Sequence, residues 1–457
     1  MEDKLVYSFL CPALTKITEN NPDVPVEGMK LLSALAHKFS LPVTWLVDSY
    51  SANQASNIIN NGHHEYGDQI ILHINISGIF KEKEIAPSSK AEEVLLLQQH
   101  LPDLLDEEIR KVKEALPWWE FNVVSVDAKS EAILEIFQDK GCKGLWGYRW
   151  NDDDNNTDKG CPWSFFFISK HYHNIPGQDE SGIVGIEQNS LNLNSAYHSG
   201  NYQVFSVVPK SMRDSKLIAN KNLSYANALI NEYIKNVSWN RFLTFIQAQS
   251  AWDMQYSSYQ EYNKGTIEEL VDILNGFFRE VRLNKNIQPI TILDAVKYYK
   301  NQFSRTESCS MLSGGIIPMN LDIEFFASTD PKKKPPYPMT FFYYDHECQM
   351  IFNEGEMFPV EMRNYFRPPF DTQSYIEKEI PTMSSFRPSR DREKLIMEFD
   401  IESIKKMPFG LTIWDDHSTF NLVSTNARAV KWIGNQLIFI RLDLEEGLNN
   451  IEVSLSI

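Results

Sequence analysis

Between residues 5 and 301, short apolar runs alternate with amphipathic stretches, and few folds accept that rhythm. The runs are Leu5 to Leu10, Val43 to Val47, Gln69 to Ile74, Asn122 to Val126, Gly144 to Trp150, Ile183 to Ile186, Leu243 to Ala248 and Ile290 to Leu293. Each has strand length and shows little polar alternation. A strand with one wet face alternates, whereas a strand buried on both faces does not, and the latter belongs to a parallel sheet covered by helices. The stretches between them have helical spacing. Met29, Leu31, Leu32, Leu35 and Ala36 gather on one side of Pro25 to Ser40. Ser51 is placed to cap a helix that reaches Ile58 and Ile59 and ends near Gly62. Lys90 to Ala115, closed by Pro117, Glu131 to Gln138, ended by Gly141, Leu223 to Ile234, Ile267 to Val281 and Asp294 to Asn301 read as further helices. Strand, helix, strand in this order predicts right-handed crossovers and an α/β fold, its parallel sheet open or closed into a barrel.

Two stretches break the rhythm. Residues 151–182 are long, polar and rich in Asp and Asn, with Cys161-Pro162-Trp163 and His171-Tyr172-His173 inside. A loop of that length in a compact domain is usually functional or disordered, and its aromatic residues argue against disorder. From residue 316 the helical pattern ends and Pro density rises through Pro331, Pro335, Pro336 and Pro338. Phe341 to Tyr344, Gln349 to Phe352, Leu395 to Phe399, Leu411 to Trp414 and Leu437 to Ile440 read as short strands. Ile451 to Ile457 alternates strictly. The expectation is an α/β domain over residues 1–315 and an antiparallel β-sandwich-like domain over 316–457.

With 457 residues, 42% of them apolar, the chain can bury a sizeable core. Its formal net charge of −17 and lack of a basic stripe argue against nucleic acid and against an anionic membrane surface as partners. Lys332 to Lys334 reads as a solvated linker. The five cysteines, Cys11, Cys142, Cys161, Cys309 and Cys348, are scattered and contain no CxxC pair, which argues against a disulfide framework and a structural zinc. No signal-peptide pattern opens the sequence and no apolar run reaches membrane-spanning length, so a cytoplasmic location is expected.

In parallel α/β sheets, sites gather at the carboxyl ends of the strands. Asp48 ends the second run, His73 and Asn75 the third, and Trp150 with Asp152, Asp153 and Asp154 the fifth. Glu187, Gln188 and Asn189 end the sixth. Gln247, Gln249, Trp252 and Asp253 end the seventh. Each has a plainer reading. His73 could be a hydrogen-bonded core residue, Asp48 a helix cap, and Asp152 to Asp154 with Asp158 an exposed acidic loop. A Ca²⁺ site there lacks the EF-hand spacing. His171 and His173 alone are a weak metal signal. Glu187 is harder to dismiss, because a buried carboxylate needs a partner. Ser313-Gly314-Gly315-Ile316 lacks the Lys-Ser/Thr of a phosphate loop, and no nucleophile elbow or HExxH occurs.

The pattern Pro42 to Asp48, a helix, then Gly67-Asp68-Gln69-Ile70-Ile71-Leu72-His73 resembles the polysaccharide deacetylase-like (NodB-type) superfamily. Gly147-Tyr148-Arg149-Trp150 with the Asp-rich loop and Thr157 to Trp163 resembles a branch that adds a C-terminal β domain. The resemblance covers about residues 1–315. It implies a distorted (β/α)7-type barrel and hydrolysis of carbohydrate derivatives. It also exposes departures. Where the family carries Asp-Asp after its first strand, one the base and the other a metal ligand, this chain reads Phe9-Leu10-Cys11-Pro12-Ala13. Where the family carries a second His four residues after the first, His73 is followed by Ser77. A divalent metal is thus an option with an incomplete ligand set.

The expected function is a hydrolase acting on a small-molecule or glycan substrate. Glu187 and Asp152 would act as acid and base, with His73 in the catalytic group and Asp48 beside it, orienting substrate or holding a divalent ion. Trp150, Trp163 and Trp252 would stack on sugar rings, and Asp153, Asp158, Gln247 and Gln249 would bind substrate. The alternatives are a non-catalytic carbohydrate- or partner-binding protein on a degenerate barrel, and a metal-free lyase or isomerase.

Overall fold

The computed structural model describes residues 4–18, 21–78, 90–127, 129–148, 164–169, 182–193, 195–196, 205–218, 222–238, 240–255 and 266–313, and in the C-terminal part 340–345, 350–353, 356–359, 382–391, 394–414, 421–425, 429–433 and 437–456. Its N-terminal part is mixed α/β. The strands are β1 (Leu5–Pro12), β4 (Val43–Val47), β5 (Gln69–Ile74), β6 (Val123–Val126), β7 (Gly144–Tyr148), β8 (Phe166–Phe167), β9 (Val184–Glu187), β10 (Thr244–Ala248) and β11 (Ile287–Pro289). A small hairpin, β2 (Lys16–Thr18) and β3 (Asn21–Asp23), follows β1. The helices are α1 (Val26–His37), α2 (Ser49–Gln54), α3 (Ser56–Tyr66), α4 (Lys90–Ala115), α5 (Glu131–Asp139), α6 (Pro209–Asp214), α7 (Ser224–Val237), α8 (Ile267–Leu283) and α9 (Ile292–Gln302).

One nine-stranded sheet runs in the order β10-β1-β4-β5-β6-β7-β9-β8, with β11 also on β1. All its pairings are parallel except β8 on β9. From β1 to β9 the order never reverses, β8 adds antiparallel beyond β9, and β10 returns beside β1. A sheet wound in one direction curls, because each crossover adds its twist in the same sense. Beyond β9, the Ser190 N–H donates to Ile246 O on β10 at 3.0 Å, which draws the two ends of the curl together.

Strand alternation sorts the core into two layers. Val6, Leu10, Leu46, Ile71, Val123, Trp146, Val184, Ile186 and Ile246 pack inside the curl, against Ile292, Val296 and Tyr299 of α9. Leu5, Tyr7, Phe9, Val43, Trp45, Leu72, Val124 and Phe245 face the surrounding helices. Phe9, for example, meets Phe278 of α8 edge-on at 4.7 Å. The Ile292 N–H donates to Thr44 Oγ1 at 3.1 Å and Ser8 Oγ donates to Ile290 O at 2.9 Å, so the α9 entry fills the N-terminal end of the curl. The C-terminal end is the one left for a site.

Three local expectations change. Asp48, not Ser51, caps α2, and Ser51 completes a capping box from inside the helix. The next helix runs past Gly62 and ends at Gly67, whose φ of +80° suits a left-handed cap. Residues 290–293 are not a strand. The strand is Ile287–Pro289, and Thr291 caps α9 by accepting the Asp294 N–H at 3.2 Å.

In the C-terminal part the strands form antiparallel sheets. One joins β12 (Cys309–Ser313), β13 (Thr340–Asp345), β14 (Met350–Asn353) and β15 (Glu356–Pro359). Its first strand lies before residue 316. Another joins β16 (Thr382–Asp391), β17 (Lys394–Ser403), β22 (Gly447–Ser456) and β19 (Asn421–Thr425). The last joins β18 (Met407–Trp414), β21 (Leu437–Leu444) and β20 (Ala429–Ile433). Among the described residues no helix is long and apolar enough to cross a membrane.

Candidate functional site

Polar side chains collect in two linked groups along the C-terminal edge of the curled sheet. The first begins at Asp48, directly after β4. Its Oδ1 accepts the Ser51 N–H at 2.8 Å, which is the helix cap. The carboxylate does more than cap, because Oδ2 accepts the Thr15 N–H at 2.6 Å and Oδ1 accepts the Thr15 hydroxyl at 2.8 Å. Asp48 thereby ties the loop after β1 to the end of β4.

His73 lies on β5 two residues beyond Ile71 and so shares its inner face. Ser125 stands in the same relation to Val123 on β6, and its Oγ is 3.1 Å from His73 Nδ1. Burial pushes His73 down from its ordinary 6.5; the carboxylates of Asp127 and Asp48 act against that, and Lys129 acts with it. At neutral pH the imidazole is therefore uncharged and can accept a proton. Asp127 is exposed and anchors the segment after β5 by accepting the Ile76 and Ser77 N–H groups at 2.7 and 3.0 Å. Lys129 donates to Gly147 O at 3.1 Å, and its ammonium lies 5.1 Å from the Tyr148 ring centroid.

The second group forms where β10 ends. Gln249 is fully buried; its Oε1 accepts the Lys210 N–H at 3.1 Å and its Nε2 donates to Asp253 Oδ2 at 3.2 Å. The Trp252 indole N–H donates to Leu14 O at 2.8 Å, and the Lys16 ammonium lies 4.7 Å from its ring centroid. Leu14 and Lys16 flank Thr15, the residue held by Asp48, so the two groups meet at the loop after β1. Beside the Trp252 turn runs a groove of about 600 Å³ lined by Asp23, Val24, Glu27, Leu31, Met254 and Ile267 among others, a size common for small-ligand sites.

Other expected residues are placed differently. Gln247 is fully buried in the helix-facing layer, where Oε1 accepts the Tyr7 hydroxyl at 2.6 Å and Nε2 donates to Val207 O at 3.3 Å. Glu187 is 5% exposed and alternates with the inward Val184 and Ile186. Its Oε1 accepts the Ser190 hydroxyl at 2.9 Å and the Thr244 hydroxyl at 3.3 Å, across the seam between β9 and β10. Burial, and next the charge of Glu187, push the Tyr233 phenol upward. Glu187 is thus held in a buried polar joint, apart from His73. Trp252 is 7% exposed with Lys16 over its ring. Trp150, Asp152, Asp153, Asp154, Asp158, Trp163, His171 and His173 lie outside the described residues.

Thr15, Ser125, Asp127 and Lys129 fall in these two groups without being named by the sequence reading, which names Asp253 only as a residue ending the seventh run. Asp127 and Lys129 follow an apolar run of strand length, so the strand-end rule, applied to the fourth run, finds them. Thr15 and Ser125 carry no such signal, being small hydroxyl residues of a kind found throughout the chain.

The donor set does not fit the metal site that the family resemblance implies. His73 matches one of the ligand positions, and among the described residues no three His, Cys, Asp or Glu side chains group to hold an ion. Cys11, in the place of the family's first-strand carboxylates, is a buried free thiol in the helix-facing layer. Burial pushes it well above an ordinary thiol, which opposes the thiolate a metal would need.

No protein-family model matches the chain. No curated protein sequence matches it either. Among solved structures, a 4-alpha-glucanotransferase from Thermococcus litoralis is similar at a TM-score of 0.39 and 8% identity, over 100% of both chains. A structure described as a probable polysaccharide deacetylase from Pseudomonas aeruginosa PAO1 is similar at 0.39 and 10% identity, over 66% of this chain and 93% of that one. Puue allantoinase is similar at 0.39 and 10% identity, over the same shares. Similarity of this degree leaves the reading of the site to the chain's own residues.

Proposed function

We propose that this chain is a hydrolase of a carbohydrate or carbohydrate-like substrate. Its chemistry would take place at the C-terminal edge of a distorted seven-stranded (β/α) barrel, with a β-sandwich-like unit following. The observation that carries the reading is His73 on the inner face, 3.1 Å from Ser125 Oγ, with burial moving its imidazole toward the neutral form against the charges of Asp127 and Asp48. Such a group can take the proton of an attacking water. The imidazolium formed would then be stabilised by the two carboxylates, which oppose its charge at close range. Lys129 supplies positive charge on the same rim, where an oxygen of the substrate would gain negative charge. Asp48 and Thr15 offer acceptors and a hydroxyl to sugar hydroxyl groups. Asp152, Asp153, Asp158, Trp150 and Trp163 follow β7 in the chain and stay in the proposal as substrate contacts. Glu187 is reassigned from acid to structural joint, on the strength of its buried hydrogen bonds.

His73→Asn tests the reading on a panel of aryl glycosides, aryl acetates and N-acetylated sugars. The expected loss in kcat is about 10²–10⁴-fold, the usual worth of a general base, at nearly unchanged KM. The acid limb of kcat/KM should have its midpoint below 6.5, the direction in which burial moves His73. Full activity in the variant refutes the role. One observation favours a second reading, a carbohydrate-binding protein without turnover: the end of β1 offers Leu10, Cys11, Pro12 and Ala13 and no acid or base. A thermal shift with sugars and no hydrolysis of any of them would support it.

A further inference from the structure

Four neighbouring parallel strands end in one row of inward side chains. The register pairs His73 of β5 with Ser125 of β6, Ser125 with Trp146 of β7, and Trp146 with Ile186 of β9. Trp146 and Ile186 belong to the inner layer, as do Ile71 and Val123, which set the inward side for His73 and Ser125. Each of the four is the last inward residue of its strand. On β7 a bulge makes it so. The register shifts at Gly147, whose φ is +101°, and Tyr148 turns to the helix-facing layer opposite Glu187. Lys129 holds the bulge by donating to the Gly147 carbonyl at 3.1 Å. The row therefore stands at the C-terminal mouth of the curl and not in its depth.

Two members of the row have hydrogen-bonding capacity that the fold does not use. Ser125 Oγ lies 3.1 Å from His73 Nδ1, its one side-chain partner among the described residues. The Trp146 indole N–H is buried, yet it meets no acceptor among the described residues. The indoles of Trp45, Trp118 and Trp252 each donate to an oxygen. Trp119 is also unpaired, but it lies in the helix-facing layer, away from the row. A buried donor without an acceptor costs stability, and one beside a hydroxyl–imidazole pair at the mouth of the sheet has a use for an incoming oxygen.

We propose that Ser125 is a nucleophile activated by His73, with Trp146 as the donor to the oxygen that becomes negative, and that the substrate is a carboxylic ester of a carbohydrate. The inference rests on the hydrolase reading and gives it a covalent route. Ser125 is on a strand and not on the sharp turn of a nucleophile elbow, so its activation comes from side-chain neighbours alone. With the imidazole proton on Nε2, Nδ1 accepts the Ser125 hydroxyl. Ser125 Oγ bonds to the acyl carbon as His73 takes its proton, and the acyl oxygen gains the charge that the Trp146 N–H meets. The bond to the sugar oxygen then breaks and His73 returns the proton to it. Water attacks the acyl-serine, His73 takes a proton from the water and hands it to Ser125 Oγ, and the acid leaves. Ester and water become acid and alcohol, with His73 and Ser125 restored.

The test starts from the parent full-length protein, so its first arm does not depend on any variant folding. Incubation with diisopropyl fluorophosphate, followed by peptide mass spectrometry, should place one phosphoryl adduct on Ser125. No adduct there, or an adduct on another serine alone, overturns the proposal. p-Nitrophenyl acetate should give a burst of about one equivalent of nitrophenol before the steady state, the mark of an acyl-enzyme. Ser125→Ala should abolish adduct and burst. His73→Asn should slow labelling of Ser125 by about 10²–10⁴-fold, and unchanged labelling would mark a structural pair and overturn the proposal. Trp146→Phe keeps the ring and removes the donor; it should lower kcat on the ester by about 10²–10³-fold at nearly unchanged KM, and full activity would strike Trp146 from the proposal. Ester hydrolysis that His73→Asn loses, without burst or adduct in the parent, refutes the nucleophile and leaves the hydrolase reading with direct attack by water. An adduct on Ser125 with no turnover of any sugar ester upholds the activated serine and refutes the hydrolase reading.

Discussion

Removing the Asp68 carboxylate should unlock the N-terminal end of the sheet. Asp68 is fully buried just before β5. Its Oδ1 accepts the Val43 N–H at 2.9 Å and lies 2.9 Å from His37 Nε2, while Oδ2 accepts the Trp45 indole N–H at 3.0 Å. Val43 and Trp45 are also fully buried. In Asp68→Ala those two donors lose their acceptor with no water to replace it, whereas His37, 10% exposed, can reach solvent. Each stranded donor costs about 1–3 kcal/mol, so the pair costs about 2–6 kcal/mol. In a domain of this size each kcal/mol lowers Tm by about 2 °C, giving a drop of about 4–12 °C. Asp68→Asn keeps the volume but offers one oxygen and an NH₂ that faces a donor, so it should recover about half of the loss. Thermal and urea unfolding followed by circular dichroism would measure both. Glu27→Ala is the control; its pair with Lys30 is exposed and worth about 0–1 kcal/mol. An Asp68→Ala protein that melts within about 2 °C of the parent would refute the account, because the donors would then have other partners.

Three further outcomes follow from the same kind of reasoning. Glu187→Ala takes the acceptor from the buried Ser190 hydroxyl, while Thr244 keeps Ser164 Oγ at 2.8 Å, and should cost about 1–3 kcal/mol in urea unfolding; a loss of turnover at unchanged stability would return Glu187 to the catalytic group. Gly28→Ala adds helix propensity worth about 1 kcal/mol but pushes α1 off the Asp253 turn, so we expect a net fall in Tm together with weaker sugar binding; a stabilised, fully binding variant would contradict the packing. His73 gives a pH signature without any substrate. Its folded value lies below 6.5, so between the two values the unfolded chain binds more protons. Its contribution to stability is therefore complete above 6.5 and is lost as pH falls through that window, and His73→Asn should flatten the slope of Tm against pH there.

Much of the fold was legible because a parallel sheet buried on both faces needs unbroken apolar runs, and the chain has them. Lys90–Ala115 appears as a helix over the span that its spacing predicts. The misread boundaries have physical causes. Gly62 looked like a helix end, but it is inside α3 because a Cβ there would strike the Asp68 carboxylate. Ile290 to Leu293 looked β-prone, but Thr291 spends its hydroxyl on a helix cap. Strand ends alone point to the edge on which the site is proposed. The side each residue faces was not legible. Glu187 follows an apolar run as His73 nearly ends one, yet alternation turns the first toward the helices and keeps the second inside the curl. Gln247 meets Tyr7 across 240 residues, a partnership no local pattern can announce.

The two ends of the sheet treat the same side chain differently, and that contrast supports the proposed site without appeal to any relative. An ionised carboxylate withdrawn from water is tolerated only when its oxygens are paired. At the N-terminal end Asp68 reaches full burial with donors on both oxygens, and Ser8 and Thr44 likewise bond the backbone that enters α9. Asp68, Ser8 and Thr44 there spend these bonds on finishing the core. At the C-terminal end Asp48 and Asp253 stay half-buried and Asp127 is exposed, although each is anchored by the loops it ties. Anchoring fixes where these carboxyls point, and partial exposure leaves part of each surface for another molecule. His73 lies on the inner face, moved toward neutrality by burial. Fixed geometry with unspent surface is what substrate recognition needs, and in this sheet only the C-terminal rim, among the described residues, combines the two around a titratable base.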